Sequence, residues 1–440
     1  MTERMSIDSL TYGAAGIGRD ETGRAVFVDE SAPGDVVDVA IDTEKKRYAC
    51  AHIDQIITPS PQRIEPRCPH AHQCGGCTWQ HIAYQAQLQA KRANVMQALT
   101  HIAHVSPEEA QTLTAECIPS KREFGYRNKL ELATSVKPPK PLVVGFHQSH
   151  SHQLEPADSC PLAVRTIEHT PKALRGALRY LQGSNDLGIY RIGVRSSLRT
   201  HSTEIALWTS PGPFPRDAAA KTLSSTLKTS SIVRIMANPG KSRKIKGVEV
   251  LSGAGHWVEE LHGFNYCVSA PSFFQVNTAQ ADKLIDLVIE GLQIDSSMRV
   301  ADLYCGVGTF TLPIAQLCKE TLAVESAASS VRDLRRNAQN AKVDIEIVGG
   351  DSARELPTMG HLDALVVDPP QTGLADGVAQ DIAHANPHRV AYVSCNPSTW
   401  ARDIVRLGEC GYKLIQATPV DLFPQTYHVE TVSILERTAD

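Results

Sequence analysis

Three units of different class are expected from this sequence: a small all-β barrel, a mixed α+β middle, and a C-terminal α/β unit built on a parallel sheet. Three observations predict them. The first 60 residues are β-branched runs broken by glycine turns, the stretch PSPQRIEPRCPH (59–70) is a proline-rich break, and the end of the chain alternates apolar strands with helical segments. The boundaries follow as 1–60, 61–265 and 266–440.

At 440 residues and 42% hydrophobic content the chain holds enough apolar material for about three cores at roughly 150 residues each. No stretch reaches the ~20 apolar residues of a membrane span, and MTERMSIDSL lacks a signal-peptide run, so a soluble cytoplasmic protein without a membrane partner is expected. Eleven cysteines, an odd number, argue for thiols kept reduced, ligated or buried. Cys50, Cys117, Cys267, Cys318 and Cys410 stand alone and read as structural. A net charge of −4 gives no global attraction to nucleic acid. Phosphate contacts would have to come from three local groups: Lys45, Lys46 and Arg47; Lys121, Arg122, Arg127 and Lys129; Lys241, Arg243, Lys244 and Lys246.

In the front unit, Val26 and Val28, and then Val36, Val37 and Val39, sit in β-branched runs bounded by Gly23 and the Pro33-Gly34 turn, the pattern of a small barrel. HIAYQAQLQAKRANVMQALTHIA (81–103) predicts a helix, which is free to pack on the last unit although it lies in the second. From Ile118 to Gly263 strands and short helices mix without a nucleotide motif. The helix containing LIDLVIEGLQI then leads into RVADLYCG, the first strand of a βαβ series.

That series carries the chemistry. The strand Val300–Leu303 enters a turn with Gly306 and Gly308, where backbone can approach a ligand closely. Following strands end at Glu325, placed to bind a ribose diol, and then at Asp351 and Asp368, so that acids line one crevice. A nicotinamide dinucleotide and S-adenosylmethionine are both compatible with this. The third glycine of a dinucleotide turn is missing, and DLYCGVGTF followed by an acid and DPP favours S-adenosylmethionine. Beside the crevice, VAYVSCNPSTWARDI sets Cys395 at a strand end, where a thiolate is placed to attack. Cys305 in the glycine turn reads as a packing residue. Upstream, Cys68, Cys74 and Cys77 share one loop, with Cys160 of ADSCPL a natural fourth; four thiolates suit zinc or an iron-sulfur cluster. His70, His72 and His81 read as loop residues.

PSFFQVNTAQADKL, DLYCGVGTFTLPIA, VVDPP, VSCNPSTWARDI and DLFPQTYHVETV, in that order over residues 271–432, resemble the RNA uracil-5-methyltransferase family. The front segment resembles a TRAM domain, an OB-like RNA-binding module. The resemblance implies a Rossmann-like methyltransferase unit behind a central iron-sulfur domain, with S-adenosylmethionine and a [4Fe-4S] cluster as cofactors. It implies Cys68, Cys74, Cys77 and Cys160 as cluster ligands, and Gln275, Tyr304, Thr309, Glu325, Asp351 and Asp368 in the cofactor pocket. Asp368 is alternatively a partner of the uracil edge. Cys395 would add to carbon 6 of uracil, and Glu430 would remove the carbon 5 proton after methyl transfer. The implied partner is RNA, with 23S ribosomal RNA first and transfer RNA as the alternative, and a monomer is expected. Gln371 stands after DPP where the family usually has arginine, and Thr309 and Asp351 stand where asparagines are common. A radical S-adenosylmethionine methylthiotransferase fails on cysteine spacing. A silent RNA-binding factor is the reading from another class, opposed by the presence of both Cys395 and Glu430.

Overall fold

The computed structural model describes residues 2–135, 142–183, 186–240 and 244–438. Five strands, β1 (Thr2–Leu10), β2 (Gly16–Arg19), β3 (Ala25–Val28), β4 (Val36–Glu44) and β5 (Tyr48–Thr58), close into a barrel in the order β1-β2-β3-β5-β4. The alternation read from the sequence fills its interior. Val26, Val28, Val37 and Val39 are buried with Met5, Ile7, Ala49 and Ala51, while Lys45, Lys46 and Arg47 are exposed at the β4–β5 turn.

The helix predicted over 81–103 is α1 (Tyr84–His101), followed by α2 (Pro107–Leu113), which Ser106 caps by accepting the Glu109 N–H. Val95, Ala98 and Leu99 of α1 pack into one core with Leu303, Leu365 and Tyr392 of the C-terminal sheet. Lys91 of α1 is fully buried and ion-paired with Asp421, itself fully buried and also receiving the Tyr84 hydroxyl at 2.8 Å. Lys91→Ala would leave a carboxylate buried without its counter-charge, so a loss of about 3–5 kcal/mol is expected in denaturant unfolding. An unchanged midpoint would show that the pair holds nothing.

The middle sheet has seven strands, β6 (Lys129–Ser135), β7 (Val143–His147), β8 (Leu154–Glu155), β9 (Ile189–Ser196), β10 (Thr203–Thr209), β11 (Ser231–Ala237) and β12 (Ile245–Gly253), ordered β12-β11-β10-β9-β6-β7-β8. The helices α3 (Thr170–Gln182) and α4 (Arg216–Thr226) bury Leu174, Leu178 and Leu223 against it, giving the α+β class expected. Of the third basic group, Lys244 and Lys246 are exposed at the edge strand, and Lys241 and Arg243 lie outside the described residues.

A hairpin, β13 (Trp257–Leu261) and β14 (Phe264–Val268), and helix α5 (Thr278–Leu292) lead to the last sheet. Its elements are β15 (Arg299–Leu303), α6 (Thr311–Ala315), β16 (Glu320–Glu325), α7 (Ala328–Ala341), β17 (Glu346–Gly349), α8 (Ser352–Glu355), β18 (Ala364–Val367), α9 (Val378–Ala385), β19 (Arg389–Ser394), α10 (Pro397–Glu409), β20 (Tyr412–Val420) and β21 (Glu430–Arg437). The strand order is β17-β16-β15-β18-β19-β21-β20; β15 to β19 are parallel and β21 is antiparallel to both its neighbours. One face is covered by α1, α9 and α10, the other by α5, α7 and the hairpin. The order reverses between β15 and β18, and such a switch point opens a crevice at the carboxyl ends of the strands. Among the described residues no helix is long and apolar enough to cross a membrane.

Candidate active site

The crevice is lined from one side to the other by the residues singled out in the sequence. Asp351 lies two residues past β17, Glu325 ends β16, Tyr304 follows β15, Asp368 follows β18 and Cys395 follows β19. Glu430 opens β21, whose antiparallel register sets Thr431 opposite Ser394. The C-terminal acid and the thiol therefore meet at one end of the sheet.

On the β15 side the backbone is bent for close approach. Tyr304, Gly306 and Gly308 have φ of 63°, 58° and 98°, and a Cβ on Gly308 would lie 2.4 Å from Leu312 Cδ1. A tyrosine in the left-handed region is a local strain of the kind found at ligand sites. The Glu325 carboxylate is fixed by the backbone N–H groups of Gly306 at 2.9 Å and Ala327 at 2.6 Å. Asp351 caps α8 by accepting the Ala353 N–H at 3.0 Å. Burial, with the nearby Asp351, pushes the Tyr304 phenol up. Thr309 lies in the turn before α6, with its carbonyl 3.4 Å from the Tyr266 hydroxyl. Gln275 is buried in the loop between β14 and α5, where Asn128 Nδ2 donates to its carbonyl at 2.9 Å. Asp333 of α7 and Arg195 of β9 hold Ser269 and Ser272 of the same loop. Burial pushes the Cys305 thiol well up, in keeping with its expected packing role.

Asp302, inside β15, escaped the sequence reading. It is fully buried, accepts the Thr311 hydroxyl at 2.5 Å through Oδ2, and among the described residues its Oδ1 has no hydrogen-bond partner. Burial, reinforced by Asp368 and Glu325, pushes it up from 3.8 to about 7. Because its pKa is higher folded than unfolded, its contribution to stability is fully present below about pH 4 and is lost as pH rises through about 7. Asp302→Asn should remove this loss, which is roughly 4 kcal/mol at most. Unfolding curves at acid and mildly alkaline pH check it; parallel pH dependence in both proteins would refute the assignment.

On the β18 and β19 side three ionisable groups converge. Burial, then Glu430 and Asp368, push the Cys395 thiol up to about 12, while the nearby Gln371 side chain acts in the opposite direction. Burial pushes Asp368 up to about 7, and burial with the nearby Asp368 holds Glu430 well above the carboxylate range. The loop is braced on both sides: the Gln371 carbonyl accepts Asn396 Nδ2 at 3.2 Å and Thr399 Oγ1 at 3.0 Å, and Asn396 caps α10. The segment before Glu430 is gripped from elsewhere in the chain. Lys91 donates to the Phe423 carbonyl at 3.0 Å, Tyr126 to that of Pro424 at 3.1 Å, and the Thr78 and Trp79 N–H groups to that of Gln425, each at 3.1 Å.

Cys68, Cys74, Cys77 and Cys160 all line one cavity of about 840 Å³ between the barrel, their loop and the middle sheet, which Arg127, Lys129 and Tyr427 also line. Burial pushes Cys74 up to about 11 and Cys77 up to about 12, and the neighbouring thiols add to both. Four soft donors on one cavity are the right donor chemistry for a cluster. Among the described residues, however, no three His, Cys, Asp or Glu side chains form a group that could hold a metal ion, so the expected cluster is not shown by this geometry. His70 pairs with Glu155 and His72 with Glu30, and His81 faces the Ser31 carbonyl, as loop histidines do.

The family model of tRNA (Uracil-5-)-methyltransferase matches residues 217–360 and 355–438, and that of the TRAM domain matches residues 2–53. Uncharacterized RNA methyltransferases of Thermosynechococcus vestitus and Gloeobacter violaceus are 35% and 36% identical, each over 99% of this chain and over 98% and 96% of their own. The crystal structure of Pyrococcus abyssi tRNA (uracil-54, C5)-methyltransferase in complex with S-adenosyl-L-homocysteine is 26% identical, with a TM-score of 0.76 over 98% of this chain and 99% of that one. With the barrel, the switch-point crevice and the matched segments agreeing, the chain belongs to the tRNA (uracil-5-)-methyltransferase family of RNA methyltransferases and carries a TRAM domain at its front.

Proposed function

We propose that this protein converts a uridine of structured RNA to 5-methyluridine with S-adenosylmethionine as donor. The observation that carries it is the meeting of Cys395 and Glu430 at adjacent strand ends, beside Asp368 and next to the acid-lined half of the crevice. The residues fit the donor: a strained Tyr304, left-handed Gly306 and Gly308, and the anchored Glu325 form a cradle for a nucleoside, with Asp351, Thr309 and Gln275 as further walls. When bound, S-adenosylmethionine supplies an electrophilic sulfonium methyl.

The protein's own groups do the rest. Cys395 loses its proton and adds to carbon 6 of the uracil, so that an electron pair moves onto carbon 5 and its carbonyl. Carbon 5 takes the methyl group, Glu430 removes the proton remaining there, and the carbon–sulfur bond breaks to return the thiolate. A base held well above the carboxylate range is stronger than a free glutamate, which suits removal of a carbon-bound proton. Asp368, between the two halves, is assigned to the cofactor or to the uracil edge.

Cys68, Cys74, Cys77 and Cys160 are proposed to hold a [4Fe-4S] cluster, supported by their common cavity. The methylation moves no electrons, so its part is mechanical: Cys77 adjoins Thr78 and Trp79, which grip the loop before Glu430.

Ribosomal 23S RNA is the first substrate reading, resting on the barrel and thiol cluster together. The likeness to the Pyrococcus abyssi enzyme favours transfer RNA as the second. Labelled S-adenosylmethionine offered with unmodified transfer RNA and 23S RNA tests both. Label recovered as 5-methyluridine is expected from one of them, and no incorporation into either would refute the proposal.

A further inference from the structure

The front barrel does not stand apart from the reacting groups. Its β1–β2 turn reaches the loop that carries Cys395, where Tyr12 Oη donates a 2.6 Å hydrogen bond to the carbonyl oxygen of residue 395. The Tyr12 ring meets Tyr427 edge-on, with centroids 5.3 Å apart and planes at 89°. Tyr427 stands three residues before Glu430. One side chain from the barrel thus touches the nucleophile's backbone and the segment leading to the base.

The turn itself is built to be stiff. Thr11 closes on the Ala15 carbonyl with both its N–H at 3.1 Å and its hydroxyl at 2.9 Å. Ala14 is held at φ 90°, and its carbonyl accepts the indole N–H of fully buried Trp79 at 3.0 Å. Tyr12 is therefore presented from a fixed support. Burial, with Cys395, Tyr427 and Glu430 nearby, pushes its phenol up, so the hydroxyl keeps its proton and remains a donor.

We propose that Tyr12 is a positioning residue for the reaction assigned to Cys395: its hydroxyl fixes the peptide of residue 395 and so sets where the thiol stands relative to the uracil ring. Cys395 lies between the last residue of β19 and the cap of α10, past the end of the β19–β21 ladder. Rotation of its peptide would swing the sulfur, and a displacement near 1 Å can cost about 100-fold in rate. The inference rests on the proposed function, since it needs Cys395 to be the attacking group.

The test is single-turnover adduct formation by full-length protein on transcripts of transfer RNA and 23S RNA made with 5-fluorouridine. After methyl transfer, fluorine leaves no proton on carbon 5 to remove, so the thioether at carbon 6 persists and can be counted on a denaturing gel. Tyr12→Phe is expected to slow adduct formation about 10-fold, with RNA and S-adenosylmethionine binding within about twofold of wild type and thermal unfolding unchanged. An adduct rate equal to wild type overturns the proposal, as does a loss wholly accounted for by weaker RNA binding. Cys395→Ala run in parallel separates the two levels. If that variant still forms adduct, the underlying reading fails; if it forms none while Tyr12→Phe reacts at the wild-type rate, only the positioning role fails.

Discussion

Cys395→Ala is expected to lower methyl transfer by at least about 10⁴-fold, the scale on which removal of a covalent nucleophile acts. Carbon 5 of uracil is a weak nucleophile until carbon 6 is saturated, and among the described residues Cys395 is the thiol placed beside both Asp368 and Glu430. Binding of labelled S-adenosylmethionine should survive, since the cradle proposed for the donor, around Tyr304, Gly306 and Glu325, lies on the far side of Asp368. Loss of transfer with donor binding intact is therefore the expected pair of results. Residual methylation above about one part in a thousand would mean that another group attacks, or that carbon 5 reacts directly. In the free protein the thiol is pushed up to about 12, so alkylation by iodoacetamide at neutral pH should be slow and should quicken as pH rises.

Glu430→Gln should stop the reaction one step later. The amide keeps the shape of the side chain and cannot take a proton, so the carbon–sulfur adduct forms and then persists. Turnover is expected to fall about 10²–10⁴-fold while RNA remains covalently attached on denaturing gels. Absence of an adduct together with loss of turnover would assign Glu430 to an earlier step. The wild-type rate should climb with pH, because burial and Asp368 hold Glu430 protonated beyond the usual carboxylate range and only its ionised form accepts the carbon 5 proton. A rate that falls as pH rises over that range would contradict its role as base.

Strand-end chemistry was legible in the sequence because a parallel strand points its last residue at the crevice whatever else surrounds it. Glu325, Asp351, Asp368 and Cys395 could be placed that way from the βαβ rhythm alone. Glu430 could not, since its position depends on β21 inserting antiparallel between β19 and β20, a pairing that no local pattern encodes. Asp302 was hidden for a related reason: its burial comes from the flanking strands β16 and β18, which lie far along the chain, although its Thr311 partner is local. Tyr12 and Lys91 lie 383 and 330 residues from their partners, and neither shows a motif. The helix over 81–103 was readable from its length and composition, whereas its place on the C-terminal sheet rests on contacts with residues more than two hundred positions away.

The burial of Lys91 against Asp421 has a consequence for synthesis. During translation α1 emerges with a cation destined for the interior, and the counter-charge follows 330 residues later. At about 5–20 residues per second, that is a delay on the order of 15 to 65 s. For most of that time the Val95, Ala98 and Leu99 face of the helix has no sheet to cover, since β15, β18 and β19 lie 200 or more residues further along the chain. The nascent chain thus carries an uncovered apolar helix face for most of its synthesis, and that face is buried only once the C-terminal sheet has been made.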